Sequence, residues 1–387
     1  MRRGPTGRYE ASSTAGEVVR SFVPAPLPPR PPLDLKGSTQ QWLDRALVAC
    51  GRLDGIAGLL PDPDLFLYAY VRREAVLSSQ IEGTQSSLSD LLLYELEGAP
   101  GAPVDDAAEV SNYVAALEHG VARLQGGFPL SNRLLREIHV RLLSQGRGAD
   151  KEPGEFRTSQ NWIGGTRPGN ASFVPPAPHR LAECLSDLER FILETDDGVP
   201  SLVRAGLAHV QFETIHPFLD GNGRVGRLLI ALILFDRGVL VRPMLYLSLF
   251  FKQHRTEYYR LLDAVRQDGD WEAWLEFFLE GVAVTAQSAV DTTHRLLALF
   301  RADASRVAIL GRSAGSASRV FDAMRERPLS SVTSLASRTG LSFPTVARSV
   351  AALVDLGIVT EVTGRRRERV FAYSAYLEIL AEGTEPL

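Results

Sequence analysis

Apolar and polar positions alternate with helical spacing along most of this chain. Between 38 and 124 the spacing predicts several helices. One covers 65–82 and stops at Gly83, a residue suited to a left-handed helix end. A second opens at Ser87, where Ser87-x-x-Asp90 has the form of a capping box, and runs to 97 before Gly98. A third spans 108–124 and a fourth 131–144, opened by Ser131. Residues 153–176 break the pattern. Extended apolar pieces there flank a Gly/Pro/Asn tip at 164–170, which predicts a hairpin or a long functional loop. Helices return over 178–195 and 201–215. After a loop at 216–223, a very apolar helix runs to about Asp236, and two more follow near 248–267 and 270–300.

The two ends differ from this middle. Residues 1–36 are rich in Pro, Arg and Gly, and the run at 24–32 is polyproline-like. A strap lying over the surface fits it better than an SH3-type ligand. Near the other end, 317–326, 331–339 and 343–356 read as short helices, with strand-like pieces at 358–362 and 370–373. The last two are joined by Gly364-Arg-Arg-Arg-Glu-Arg369. Three helices and a basic hairpin spell a winged helix-turn-helix. In its third helix Val346, Val350, Leu353 and Val354 form the core-facing stripe. Thr345, Arg348 and Ser349 are then left to meet a partner.

The length, 387 residues, calls for two or three domains. The pattern divides them into a Pro-rich segment at 1–36, a helical region at 37–130, a central helical core at 131–300 and a winged helix at 311–387. A net charge of −4 excludes a whole-molecule electrostatic nucleic-acid binder. Residues 311–373, however, hold ten Arg against five Asp/Glu, a local basic face. Arg348 and the wing residues Arg365, Arg366 and Arg367 are the candidate DNA contacts; docking of a protein is the equal alternative for such a module. Cys50 and Cys184 offer neither a zinc spacing nor a disulfide framework, and no apolar segment follows the N-terminal arginines, so a cytoplasmic protein is expected. The longest apolar stretch, 228–235, is far too short for a membrane span.

The chemistry concentrates in His216-Pro-Phe-Leu-Asp-Gly-Asn-Gly-Arg-Val-Gly-Arg227. Gly221 and Gly223 free the backbone just ahead of a helix, so loop amides and a helix N-terminus form an anion site. Arg224 and Arg227, three apart, share a helix face and can clamp a second phosphate. Asp220 is a lone carboxylate beside that nest, which suits Mg2+ held mainly by substrate phosphates. His216 stands at the mouth, where an imidazole can take a proton from an incoming hydroxyl. Gly221-x-Gly-x-x-Gly226 also fits a dinucleotide fingerprint, but it follows a helical pattern rather than a strand.

Position for position, this segment resembles the signature of the Fic family, His-x-Phe-x-Asp/Glu-Gly-Asn-Gly-Arg-x-x-Arg. The resemblance implies a mainly α fold: a Fic helical core with a β-hairpin flap, an N-terminal helical region and the C-terminal winged helix. It also implies transfer of AMP from ATP, with Mg2+, to a Ser, Thr or Tyr hydroxyl of a protein target. His216 would be the general base and Asp220 the magnesium ligand. Asn222 with the amides of Gly221 and Gly223 would hold the α- and β-phosphates, and Arg224 and Arg227 the β/γ end. The hairpin at 155–176 looks like the flap that pairs with a target strand, pinned by Ile163 and Val174. Tyr258 and Tyr259 match the adenine side, and a homodimer is a family-level expectation. Ser78-Ser-Gln-Ile-Glu82-Gly83 is similar to the inhibitory motif of these proteins, in which the Glu pairs with the second signature arginine, here Arg227. Three other readings stay open: removal of AMP from a target, a DNA-binding regulator whose core senses nucleotide, and a transferase or kinase with another donor.

Overall fold

In a computed structural model of the chain, residues 3–14, 16–57, 63–96, 104–365 and 368–385 are described. The N-terminal segment holds a β-hairpin, not only a strap. Strands β1 (Gly7–Thr14) and β2 (Glu17–Pro24) pair antiparallel, from Gly7 opposite Pro24 to Thr14 opposite Glu17. Its local signals are the β-branched and aromatic pairs Val18-Val19 and Phe22-Val23 and the Gly16 turn. They are weaker than the Pro-rich run that follows. Residues 25–36 do lie as a strap, pinned where Arg3 Nε donates to Pro31 O at 2.9 Å and Nη1 to Glu272 Oε2 at 2.7 Å.

Six helices build the first layers: α1 (Ser38–Ala57), α2 (Pro63–Ile81), α3 (Leu88–Glu95), α4 (Val104–Gln125), α5 (Asn132–Leu142) and α6 (Leu181–Leu193). The Ser87/Asp90 capping box forms as the spacing predicts, and Ser131 caps α5. Then come α7 (Ser201–Ile215) and α8 (Asn222–Asp236). Both are buried along nearly their whole length, so α8 reads as continuously apolar rather than amphipathic. Helices α2, α4, α5 and α7 all pack on α8. The stretch expected as one helix near 248–267 is two, α9 (Ser248–Gln253) and α10 (Arg255–Asp268), and α11 runs the full Trp271–Ala308 against α1.

The winged helix comprises α12 (Ala314–Glu326), β3 (Leu329–Ser331), α13 (Val332–Thr339), α14 (Phe343–Asp355), β4 (Thr360–Glu361), β5 (Val370–Ala372) and α15 (Ser374–Ala381). Its sheet has the order β3-β5-β4, so a strand absent from the sequence reading covers the second edge of β5. Residues 382–385, after α15, lie against α2. Gln80 Nε2 donates to Thr384 O at 2.7 Å and Arg73 Nη2 to Glu382 O at 2.8 Å. No helix among the described residues is long and apolar enough to cross a membrane.

Candidate active site

The signature occupies the turn from α7 into α8. His216 ends α7 in the left-handed region (φ 49°), which swings its ring out of the helix. Gly221 starts α8 with φ 78°, a conformation that costs a side-chain-bearing residue strain. Its orientation leaves the first amides of α8 without helical partners, the physical basis of an anion site. Gly223 matters for another reason: a Cβ there would come within 2.2 Å of Glu82 Oε1 and push that carboxylate aside.

The His216 side chain is 20% exposed, while its Nδ1 is buried 3.9 Å from Glu213 Oε2. Nε2 is therefore the nitrogen left for an incoming group. Burial, with Arg157 and Arg266 nearby, pushes the imidazole down to about 4, so it is neutral and able to accept a proton at pH 7. Asp220 Oδ1 accepts from the Gly221 amide at 2.5 Å and lies 3.4 Å from Arg224 Nη2. Among the described residues no group of three His, Cys, Asp or Glu converges as a ready-made metal cage. A single, partly exposed carboxylate oxygen donor beside a phosphate nest fits Mg2+, which keeps waters and takes phosphate oxygens.

Ser78, at the end of α2, and Glu82, just beyond it, both reach Arg227. Arg227 Nε donates to Ser78 Oγ at 2.8 Å, and Nη2 donates to Ser78 O at 2.9 Å and to Glu82 Oε1 at 2.8 Å. Burial would raise the Glu82 carboxyl, but the Arg227 charge and hydrogen bond outweigh it and hold the carboxyl below its ordinary value.

Three expected roles change in the structure. The Asn222 side chain is turned inward, where Oδ1 accepts from Phe218 N and Nδ2 donates to Phe218 O, both at 2.8 Å. It braces the loop, with its oxygen and one N–H of its amide spent on Phe218. Arg224 is fully buried, and its Nη1 donates to Glu109 Oε1 at 2.6 Å, so it is paired inside the protein, as Arg227 is with Glu82. Tyr258 is a core residue whose hydroxyl meets His209 Nε2 at 2.8 Å; only its neighbour Tyr259 is exposed.

Sequence reasoning missed the residues that hold the turn. His139 of α5 accepts the Gly154 amide at Nδ1 (2.8 Å), which places its proton on Nε2, 3.0 Å from Asp220 O. Its ring stacks on Phe218 at 3.8 Å. Arg157 donates to His216 O at 2.9 Å and to Pro176 O at 2.5 Å, bolting the flap to the signature. Glu109 and Arg147 complete the cluster. A buried His or Arg carries no sequence signal of its partner.

The flap is one antiparallel bridge, Ile163 with Phe173, around a short turn at Pro168–Asn170. Val174 does not stand with Ile163 as a pin: it is buried, and its carbonyl accepts from Phe22 of β2 at 2.9 Å. Phe22 also packs against Phe173, and Glu17 pairs with Arg167, so the N-terminal hairpin covers that edge of the flap. Ile163 lies on the other strand, beside the exposed Trp162. In the winged helix Arg348 is exposed on α14, whereas Ser349 is buried rather than outward-facing. Arg365 is half-buried, and Arg366 and Arg367 lie outside the described residues.

Residues 41–122 match the N-terminal region of the Fic/DOC family, residues 129–234 the Fic/DOC family, and residues 314–363 the IclR helix-turn-helix domain. The protein adenylyltransferase Fic of Culex quinquefasciatus is 33% identical over 225 residues, 57% of this chain and 39% of that relative. The protein of the same name from Drosophila ananassae is 30% identical over 203 residues, 52% and 38% of the two chains. The matched part is thus about two fifths of these relatives' length. Among solved structures, a Fic family protein from Desulfovibrio desulfuricans gives a TM-score of 0.58 at 22% identity, covering 89% of this chain and 98% of that one. Fic-1 from C. elegans gives 0.51 at 24%, covering 67% and 73%.

Proposed function

We propose, from the premise that this chain belongs to the Fic family through residues 41–122 and 129–234, that it transfers AMP from ATP to a hydroxyl side chain of a protein target. The observation that carries the reading is the single turn in which a neutral His216, the Asp220 carboxylate and the free amides of α8 converge under Arg227. His216 Nε2 takes the proton of the target hydroxyl as its oxygen attacks the α-phosphorus, and pyrophosphate leaves. The amides of the α8 N-terminus offset charge on the phosphate oxygens. Asp220 would hold Mg2+, which would screen the leaving pyrophosphate. Wild type is self-restrained in this reading, because Arg227 is already spent on Glu82 and Ser78.

The test uses Glu82→Gly protein, with and without His216→Ala, and ATP labelled at the α- or the γ-phosphate, in the presence of lysate proteins. The reading expects α label on protein with Glu82→Gly and none when His216 is also removed. Transfer of the γ label would mean a kinase instead.

A hydrolytic second reading draws on the same carboxylate. Glu82 is held ionised against Gly223, where it could orient water toward an AMP-modified target. Release of AMP by wild type but not by Glu82→Gly would favour it. The exposed Arg348 on α14 supports a DNA-facing winged helix in either case.

A further inference from the structure

The first signature arginine is not free for substrate, and its partner comes from outside the signature. Arg224 has no exposed side-chain surface, and one of its nitrogens bonds Glu109 Oε1 of α4 at 2.6 Å. The other Nη lies 3.4 Å from Asp220 Oδ1. Glu109, itself buried, accepts two further donors on the same oxygen: Thr84 Oγ1 at 3.3 Å and Arg147 Nη2 at 3.3 Å. Arg147 in turn donates to the backbone oxygen of Glu82 at 3.1 Å. One carboxylate oxygen thus joins the Asp220 side of the site to the segment that bears Glu82.

The charges explain why such a residue is needed. A guanidinium beside Asp220 competes with any cation for that carboxylate. Glu109 on the far side of the guanidinium balances it: burial raises its carboxyl, but the Arg224 and Arg147 charges oppose that rise, so Arg224 can orient Asp220 without cancelling it. Buried charge of this kind persists only when each member is paired.

We propose that Glu109 is a positioning residue for the metal end of the site. Acting through Arg224, it sets the Asp220 carboxylate for the divalent cation that accompanies ATP; acting through Thr84 and Arg147, it ties that setting to the Glu82 segment. The proposal rests on the reading of the site given above. Outer partners of metal ligands commonly change metal affinity about 10- to 100-fold.

The experiment compares Glu109→Gln and Glu109→Asp in the Glu82→Gly background. Mn2+ binding is followed by electron paramagnetic resonance at saturating ATP, and α-label transfer is measured across a Mg2+ titration. Glu109→Gln is expected to weaken Mn2+ binding about tenfold and to raise the half-saturating Mg2+ by the same factor. At saturating Mg2+ the transfer rate should return to within about twofold of the parent. Glu109→Asp, which keeps the charge, should recover part of the affinity. A merely structural role predicts unchanged Mn2+ affinity, or a loss of rate equal at every Mg2+ concentration, and either result overturns the proposal. Weaker Mn2+ binding in a protein that transfers no label would uphold the positioning role while sinking the transferase reading.

Discussion

Glu82 Oε1 lies 2.8 Å from Arg227 Nη2, across 145 residues of sequence, and both hydrogen bonds of Ser78 converge on the same guanidinium. Arg227 is buried, with Nε and Nη2 taken by Ser78 and Glu82, so a phosphate that needs the Nη2 edge must first displace Glu82.

Glu82→Gly should release Arg227 for a phosphate. A charge-assisted hydrogen bond regained there is worth about 1.5–3 kcal/mol, or roughly 10- to 150-fold in α-label transfer. The same change leaves a buried cation short of a partner, so unfolding in urea should come earlier by about 1–3 kcal/mol. A rate equal to wild type would remove Glu82 as a restraint.

The pH dependence of transfer should report the buried imidazole. Because His216 is pushed down to about 4, its neutral form dominates well below the ordinary histidine range. In Glu82→Gly protein, which also loses a carboxylate that raises the imidazole, kcat/KM should stay level from pH 8 to about 5.5, and the His216-linked limb should appear only at about pH 4 or below. A limb at about 6.5, the ordinary histidine value, would place the ring in solvent instead.

Phe22 and Glu17 both join the N-terminal hairpin to the flap, by different physics. Phe22 is fully buried against Phe173, whereas Arg167, the partner of Glu17, is largely exposed. Phe22→Ala should cost about 3–5 kcal/mol, and Glu17→Gln less than about 1 kcal/mol. Phe22→Ala should also loosen the flap, seen as faster amide exchange at Ile163 and Phe173.

Glu74 is buried beneath Ser248 and Tyr113, and burial pushes it up to about 7. A carboxyl raised in the folded state contributes stability below its unfolded value of about 4.5 that is lost as pH rises toward 7. Glu74→Gln, which never ionises, should therefore compare better with wild type at pH 8 than at pH 5. Urea midpoints at the two pH values check this, and a gap that does not change with pH would mean Glu74 is not titrating.

Arg348 tests the winged helix. If α14 meets DNA phosphates, Arg348→Ala should weaken binding evenly across sequences and reduce the salt slope by about one. Gel-shift titrations at several salt concentrations measure it, and an unchanged slope would favour a protein partner.

Local pattern carried the reading as far as local physics reaches. The helices, the Ser87/Asp90 box, the Ser131 cap and the left-handed Gly221 depend on residues within a turn or two, so spacing exposes them. The signature was legible for the same reason, since His216 through Arg227 forms one continuous turn. Its pairing with Glu82 came from family resemblance rather than from any property of Glu82 alone.

The tertiary structure decided which side chains the site can spend. Asn222 and Tyr258 turn inward, and Arg224 finds Glu109 across 115 residues. His139 and Arg157 brace the turn from other elements, and a hairpin hidden beside a Pro-rich run covers one flap edge. A polar group taken out of water must find a partner, and which partner is near depends on packing rather than on sequence neighbours. By itself, then, the sequence determined most of the helices and the chemistry gathered at one turn; the fold determined which of those groups stay open to a substrate and which are consumed in holding the turn together.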